Sequence, residues 1–552
     1  MTDHLKIALV QRNPTVGDVA GNAALIRAAR AEAASAGADL VLFSELFLIG
    51  YPPEDLVLKP ALQDAIAQTM QTLAAETKDG GPALLIGAPW REGDALHNAM
   101  LLCDGGQIAA IRYKHDLPNY GVFDEKRVFT AGPMPGPVNF RGVRLGIPIC
   151  EDIWQPDVVE CLAETGAEIL LVPNGSPYEV DKADARMNRA VARITESGLP
   201  LVYVNQYGGQ DELVFDGGSF VLNSDCSLAV QMPHWQEGLV ITHWSREADG
   251  WRCAAGERAA PPDEMEAIYQ AMMLGLRDYV NKNRFPGILL GLSGGIDSAL
   301  SAAVAADALG PERVRCVMMP YIYTAQESLD DAAECAKLLG VRYDIVSIKP
   351  AVDAFREMLA PLFAGRDPDI TEENMQSRAR GLLLMALSNK FGEMVLTTGN
   401  KSEVSVGYAT LYGDMCGGYN ALKDIYKMTV FALSHWRNQH HPVGALGPTG
   451  RVIPENIITR PPTAELRADQ KDEDSLPPYA VLDDILDCLV EQEMSVAQVV
   501  ARGHPVDVVR RIQHLLYIAE YKRRQAAPGV KISRKIFGRD RRYPITNRFR
   551  DT

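Results

Sequence analysis

From residue 5 to about residue 225, short apolar runs recur between mixed and helix-forming stretches. "IALV", "ADLVLF", "ALLIGAP", "RLGIPIC", "AEILLVPN" and "LPLVYVN" are too short for helices and mostly rich in aliphatic and β-branched residues, so each predicts a buried strand. "NAMLLCDGGQIAAIRYK" predicts a hairpin that turns at Asp104-Gly105-Gly106. The polar, proline-bearing "GERAAPPDEME" interrupts the pattern as a linker does. Beyond it Ile268, Met272, Leu276 and Tyr279 recur at helical spacing, and "GILLGL", "VRCVMMP", "YDIVSI" and "EMVLTTGN" alternate with helical stretches. The pattern predicts an α/β protein with a first domain over 1–255, a linker over 256–264 and a second domain over 265–552. Strands separated by helices give that second domain a doubly wound parallel sheet. Residues 363–373 and 454–478 are expected to be loops that close over ligands.

A chain of 552 residues exceeds a single hydrophobic core, which agrees with the two-domain division. A formal charge of −16 argues against a nucleic-acid partner, which would need a clustered basic surface. No apolar stretch approaches a membrane span, and "MTDHLKIALVQRNP" reads as a first strand rather than a signal peptide. Nine scattered cysteines without a CxxC pair suit a reducing, cytoplasmic setting.

"GLSGGIDSAL" follows a strand and opens a helix, the arrangement in which free backbone N–H groups and the helix dipole face one anion. A Walker loop would carry a lysine here; Ser293, Gly294, Gly295, Ile296, Asp297 and Ser298 have none. Small hydroxyl donors with one carboxylate suit a pyrophosphate, with Asp297 available to an Mg²⁺ ion. Taken alone, the turn reads as an ordinary strand-to-helix connection. "TTGNKSE" adds Thr398 and Glu403 at the same carboxyl edge of the sheet, the latter as a second oxygen ligand for Mg²⁺. "ENMQSRAR" sets Asn374 and Arg378 one helical turn apart, and "YGDMCGGYNALKDIYK" contributes Asp414 and Lys427.

Together these residues resemble the N-type ATP pyrophosphatases, and among them the NAD synthetases, over the whole second half of the chain down to "ELRADQKDEDSLPPY" and "YKRRQAAPGVKISRKIFGRDRRYPI". The resemblance implies ATP binding by the 293–298 turn, Thr398 and Lys427. It also implies Mg²⁺ on Asp297 and Glu403, and deamido-NAD binding by Asn374, Arg378 and Asp414. The implied chemistry is adenylation of the nicotinate carboxylate of deamido-NAD, loss of pyrophosphate, and displacement of AMP by ammonia.

The first domain offers a source of that ammonia. Glu45 in "LVLFSELF", Lys114 in "IRYKHDLPNYGVFDEKRVF" and Cys150 in "LGIPICEDIW" each stand at the end of a β-run. Any one of them alone has a structural explanation. Their order resembles the nitrilase superfamily over residues 1 to about 240, which implies a four-layer α-β-β-α sandwich. It further implies that Cys150 attacks the glutamine amide, Glu45 is general base and acid, Lys114 stabilises the tetrahedral intermediate and Glu125 orients Lys114. Tyr120, Ser176 and Lys182 match glutamine-contacting positions. Glutamine, ATP and deamido-NAD are then the small-molecule partners, with an ammonia passage linking the two centres. The family also implies a homo-oligomer, a dimer through the synthetase domain at minimum and up to an octamer.

Overall fold

The computed structural model describes residues 3–467, 470 and 476–551. Two compact units divide between Pro262 and Asp263, inside the stretch read as linker, and the helix that opens the second unit begins at Glu264. Residues 468–469 and 471–475 of the expected 454–478 loop lie outside the described residues.

The first unit contains a seven-stranded and a six-stranded sheet. Alternation along the first strand, His4–Gln11, shows why they stack. Leu5, Ile7 and Leu9 join Leu145, Ile169 and Val202 of the other sheet in one core, while Ala8 and Val10 face the helices Val19–Ser35 and Pro60–Glu76 in a second. A third core packs the helices Asp157–Glu164 and Lys182–Ser197 on the far face of the six-stranded sheet. Helix, sheet, sheet and helix form the expected four layers. The hairpin turns where anticipated, with Gly105 and Gly106 at φ 61° and 88° between the strands Ala95–Asp104 and Gln107–Tyr113.

The second unit has five parallel strands in the order Arg342–Ile345, Val314–Met318, Ile288–Gly291, Met394–Thr397, Tyr419–Asn420. Sequence order reverses between Ile288–Gly291 and Met394–Thr397, and the crevice beyond the carboxyl ends of such neighbours is where doubly wound sheets hold ligands. The expected loop over 363–373 is only partly loop. The helix Ile370–Phe391 starts within it, because Asp369 accepts from Thr371 N at 2.7 Å and Glu372 reaches back to Asp369 N at 2.8 Å. Those reciprocal bonds satisfy donors that the first turn leaves free.

Candidate active sites in the two units

In the first unit the chain after the strand Leu40–Leu42 folds tightly over its neighbour. Phe43 N donates to Leu85 O at 3.1 Å and Leu48 N to Gly87 O at 3.0 Å. Gly87 makes this approach possible, since a Cβ there would lie 2.3 Å from Leu46 N and 2.5 Å from Ser44 O. The carboxylate of Glu45 is thereby set into the interior with no exposed surface. Lys114, directly after the strand Gln107–Tyr113, is equally buried and donates to Glu45 Oε1 at 2.6 Å and Glu125 Oε1 at 2.8 Å. Three further donors complete the cluster. Asn98 Nδ2 reaches Glu45 at 2.7 Å and Glu125 at 3.3 Å, Tyr51 OH reaches Glu125 at 2.8 Å, and Gly175 N reaches Glu45 Oε2 at 2.8 Å.

Cys150 does not follow its strand directly. Val143–Gly146 ends first, and the cysteine opens a short 3₁₀ turn, Cys150–Ile153, at φ 48°. A non-glycine residue in the left-handed region is strained, and such strain gathers where a side chain must be presented to a ligand. Burial and the Glu45 carboxylate push the thiol well above its ordinary range, against the opposing pull of Lys114. The resting sulfur is therefore a thiol, and a base must take its proton during attack. Burial opposes the charge on Lys114, but Glu125 and Glu45 outweigh it and hold the ammonium protonated. Burial raises Glu125, an effect that Lys114 partly offsets.

The residues expected to contact glutamine surround this cluster with different degrees of constraint. Tyr120 is exposed, and its hydroxyl donates to Glu151 at 3.0 Å. Ser176 is buried and held by Arg186, whose Nε donates to Ser176 Oγ at 3.0 Å and Nη2 to Ser176 O at 2.8 Å. Arg186 is itself paired with Asp216 at 2.8 Å. Lys182 begins its helix and lies 5.6 Å from the centre of the Phe123 ring.

In the second unit a cavity of about 300 Å³ opens at the carboxyl ends of Ile288–Gly291 and Met394–Thr397. Ser293, Gly295, Ile296, Asp297, Ser298, Thr398, Glu403, Asp414 and Lys427 line it. The glycine turn is closed by its own hydroxyls: Ser298 Oγ accepts from Ser293 N at 3.2 Å and donates to Gly295 O at 2.9 Å. Gly294 does not line the cavity. Its φ of 82° and a would-be Cβ only 2.5 Å from Ser328 O show that it serves the turn's fit against the helix Gln326–Leu339. Beside the turn, Lys427 Nζ lies 2.5 Å from Asp297 Oδ2 and 3.1 Å from Glu403 Oε1, and Asn400 Nδ2 donates to Asp297 Oδ1 at 2.8 Å. Two carboxylates thus converge on one cation beside a phosphate-sized turn, a donor set that fits a divalent ion completed by phosphate and water oxygens. Asp414, at the cavity wall and exposed to it, accepts from Thr410 N at 2.6 Å.

Asn374 and Arg378 are placed otherwise. Asn374 accepts from Thr410 Oγ1 at 3.0 Å and Arg378 donates to Leu411 O at 3.2 Å, so both face the 410–411 segment and neither lines the cavity. From the same helix Ser377, Arg380, Gly381 and Leu384 do. Arg380, buried enough that its pKa falls, is a cation at the cavity that the sequence reading did not assign. Asn98, Tyr51, Gly175 and Asn400 were likewise missed. The one available signal was buried-strand Asn98, polar and directly ahead of the apolar run "AMLLC".

A buried Glu-Lys-Cys cluster on a two-sheet sandwich and a phosphate turn at the switch point of a parallel sheet define a two-part enzyme, an amide-hydrolysing unit joined to a nucleotide-using one. Family models agree: residues 6–252 match the carbon-nitrogen hydrolases and residues 268–526 the NAD synthases. The chain is 54% identical over 552 residues, all of both chains, to the glutamine-dependent NAD(+) synthetase of Rhodobacter capsulatus. It is 46% identical over 545 residues to that of Acinetobacter baylyi, with 99% of each chain covered. The structure of glutamine-dependent NAD+ synthetase from Acinetobacter baumannii in complex with ADP superposes with a TM-score of 0.79 at 43% identity, covering 98% of both chains. The chain belongs to the glutamine-dependent NAD(+) synthetases.

Proposed function

We propose that this chain makes NAD from deamido-NAD, ATP and glutamine, releasing AMP, pyrophosphate and glutamate. The carrying observation is that both reacting clusters, Glu45-Lys114-Cys150 and Asp297-Glu403-Lys427, are assembled in one chain that its relatives match end to end.

In the first unit Cys150 Sγ attacks the side-chain carbonyl carbon of glutamine while Glu45 takes the thiol proton. The negative oxygen that forms is held by the Lys114 ammonium and a backbone N–H near Glu151. The carbon–nitrogen bond breaks, Glu45 returns the proton to the leaving ammonia, and a thioester remains. Water, deprotonated by Glu45, then releases glutamate and restores the thiol. Glu125 keeps Lys114 charged and oriented. Tyr120, Ser176 and Lys182 are proposed contacts for the rest of the glutamine.

In the second unit the nicotinate carboxylate displaces pyrophosphate from the α-phosphorus of ATP, and ammonia displaces AMP from the resulting acyl adenylate. The 293–298 turn, Thr398 and Lys427 bind the nucleotide. Asn374, Arg378 and Asp414 are proposed for deamido-NAD. Asp297 and Glu403 would hold Mg²⁺, which when bound neutralises charge on the phosphate oxygens. A homo-oligomer is supported by the number of large apolar side chains that the second unit leaves exposed, Ile345, Met358, Leu362, Ile370 and Leu382 among them. The same reading extends from a dimer to assemblies as large as an octamer. All nine cysteines are free thiols, which supports a cytoplasmic setting. Among the described residues no helix is long and apolar enough to cross a membrane.

The test is to supply the purified chain with ATP, Mg²⁺ and deamido-NAD, with glutamine in one vessel and ammonium in another, and to follow NAD. NAD is expected in both. Glutamine hydrolysis without NAD in either vessel would overturn nicotinate as the acceptor.

A further inference from the structure

Asp152 stands two residues beyond the nucleophile, has no exposed surface, and takes no part in the chemistry above. Its carboxylate is a junction of three backbone donors. Oδ2 accepts from Ile149 N at 2.9 Å, and Oδ1 accepts from His115 N at 3.1 Å and Asp116 N at 2.7 Å. Ile149 immediately precedes Cys150, and His115 immediately follows Lys114. One side chain therefore ties the segment that presents the thiol to the segment that presents the ammonium.

The two segments are held unequally. Lys114, just past the strand Gln107–Tyr113, donates its N–H to Asn98 O and accepts from Gly132 N, both at 2.8 Å, whereas Cys150 sits at φ 48° outside any strand, so Asp152 fixes the cysteine's segment to the better-held lysine's. A buried carboxylate is a costly way to bridge two loops if packing alone is at stake. Burial pushes Asp152 up to about 7, although the N–H groups of Asp116 and Ile149 and the Lys114 charge all favour its ionised form. Among the described residues no cation lies within ion-pair distance of it to repay that cost. What the carboxylate uniquely supplies is two acceptor oxygens for three donors that belong to both reacting segments.

We propose that Asp152 is a positioning residue for glutamine hydrolysis, holding the Cys150 thiol and the Lys114 ammonium at the separation that the tetrahedral intermediate requires. The proposal rests on the assignment of Cys150 to glutamine hydrolysis. Asp152→Asn in the full chain preserves the side chain's size but turns an NH₂ group toward at least one of the three backbone donors, so the two segments separate. Expected are a fall in kcat for glutamine hydrolysis of about 10- to 100-fold, the scale on which small misplacements act, with KM for glutamine changed far less. Ammonium-supported NAD formation should be unchanged, because that chemistry lies in the other unit. An unaltered kcat, or a loss shared equally by the ammonium reaction, overturns the proposal. Cys150→Ala assayed in parallel separates the two failures: continued glutamine hydrolysis without the thiol would sink the underlying assignment, whereas its loss beside a fully active Asp152→Asn would sink the positioning role alone.

Discussion

Replacing Cys150 with alanine removes NAD formation from glutamine and leaves NAD formation from ammonium near its original rate. The glutamine reaction should fall by about 10⁴-fold or more, the scale on which an enzyme of this type suffers when its nucleophile is deleted. The structure gives reasons to expect such a clean division. Alanine removes only the sulfur, and Lys114 keeps both of its carboxylate partners at 2.6 and 2.8 Å, so no buried charge is stranded. The left-handed backbone at position 150 is no harder for alanine than for cysteine. Glutamate release and NAD formation, measured in separate vessels with the two nitrogen sources, check the expectation. Loss of both activities would mean that Cys150 serves more than glutamine hydrolysis.

Replacing Asp297 with alanine is expected to have the opposite scope, removing pyrophosphate release with either nitrogen source by about 10³-fold or more. Its carboxylate collects the Lys427 ammonium at 2.5 Å and the Asn400 amide at 2.8 Å, so its loss disturbs the charge balance of the cluster as well as removing a metal ligand. Asp297→Asn refines the measurement, since the amide keeps an acceptor for Asn400 but no charge for a cation. If pyrophosphate release survives in the alanine variant at full rate, the assignment of Asp297 to the metal is wrong.

The residues that carry the chemistry were legible where they follow an apolar run directly. Glu45, Lys114 and the 293–298 turn stand at strand ends, and the period-2 pattern that buries a strand also fixes where it stops. Asn98 left only a faint local trace, and Tyr51 and Gly175 left none, because each reaches Glu45 or Glu125 across tens of residues of intervening chain. No local spacing encodes such a contact. The helix Ile370–Phe391 illustrates a second limit. It buries Gln376, Ser377 and Gly381 while leaving Leu382 largely in the open and Met385 partly so, so its apolar stripe does not mark its inner face. Without that marker Asn374 and Arg378 look as well placed as Arg380, which the structure turns to the cavity instead. The strand Tyr419–Asn420 is two residues long and lies in glycine-rich sequence, too short to leave any periodic trace.

The two clusters also differ in how much water reaches them, and dissolved salt should tell them apart. Glu45 and Lys114 have no exposed side-chain surface, whereas Asp297 and Glu403 keep 17% and 18% of theirs. Counter-ions screen charges they can approach and leave enclosed ones largely unscreened. Raising potassium chloride over the physiological range should therefore leave kcat for glutamine hydrolysis almost flat while weakening ATP binding. Under changing ionic strength the enzyme's two halves would drift apart in tempo, and glutamine would then be consumed faster than NAD is made.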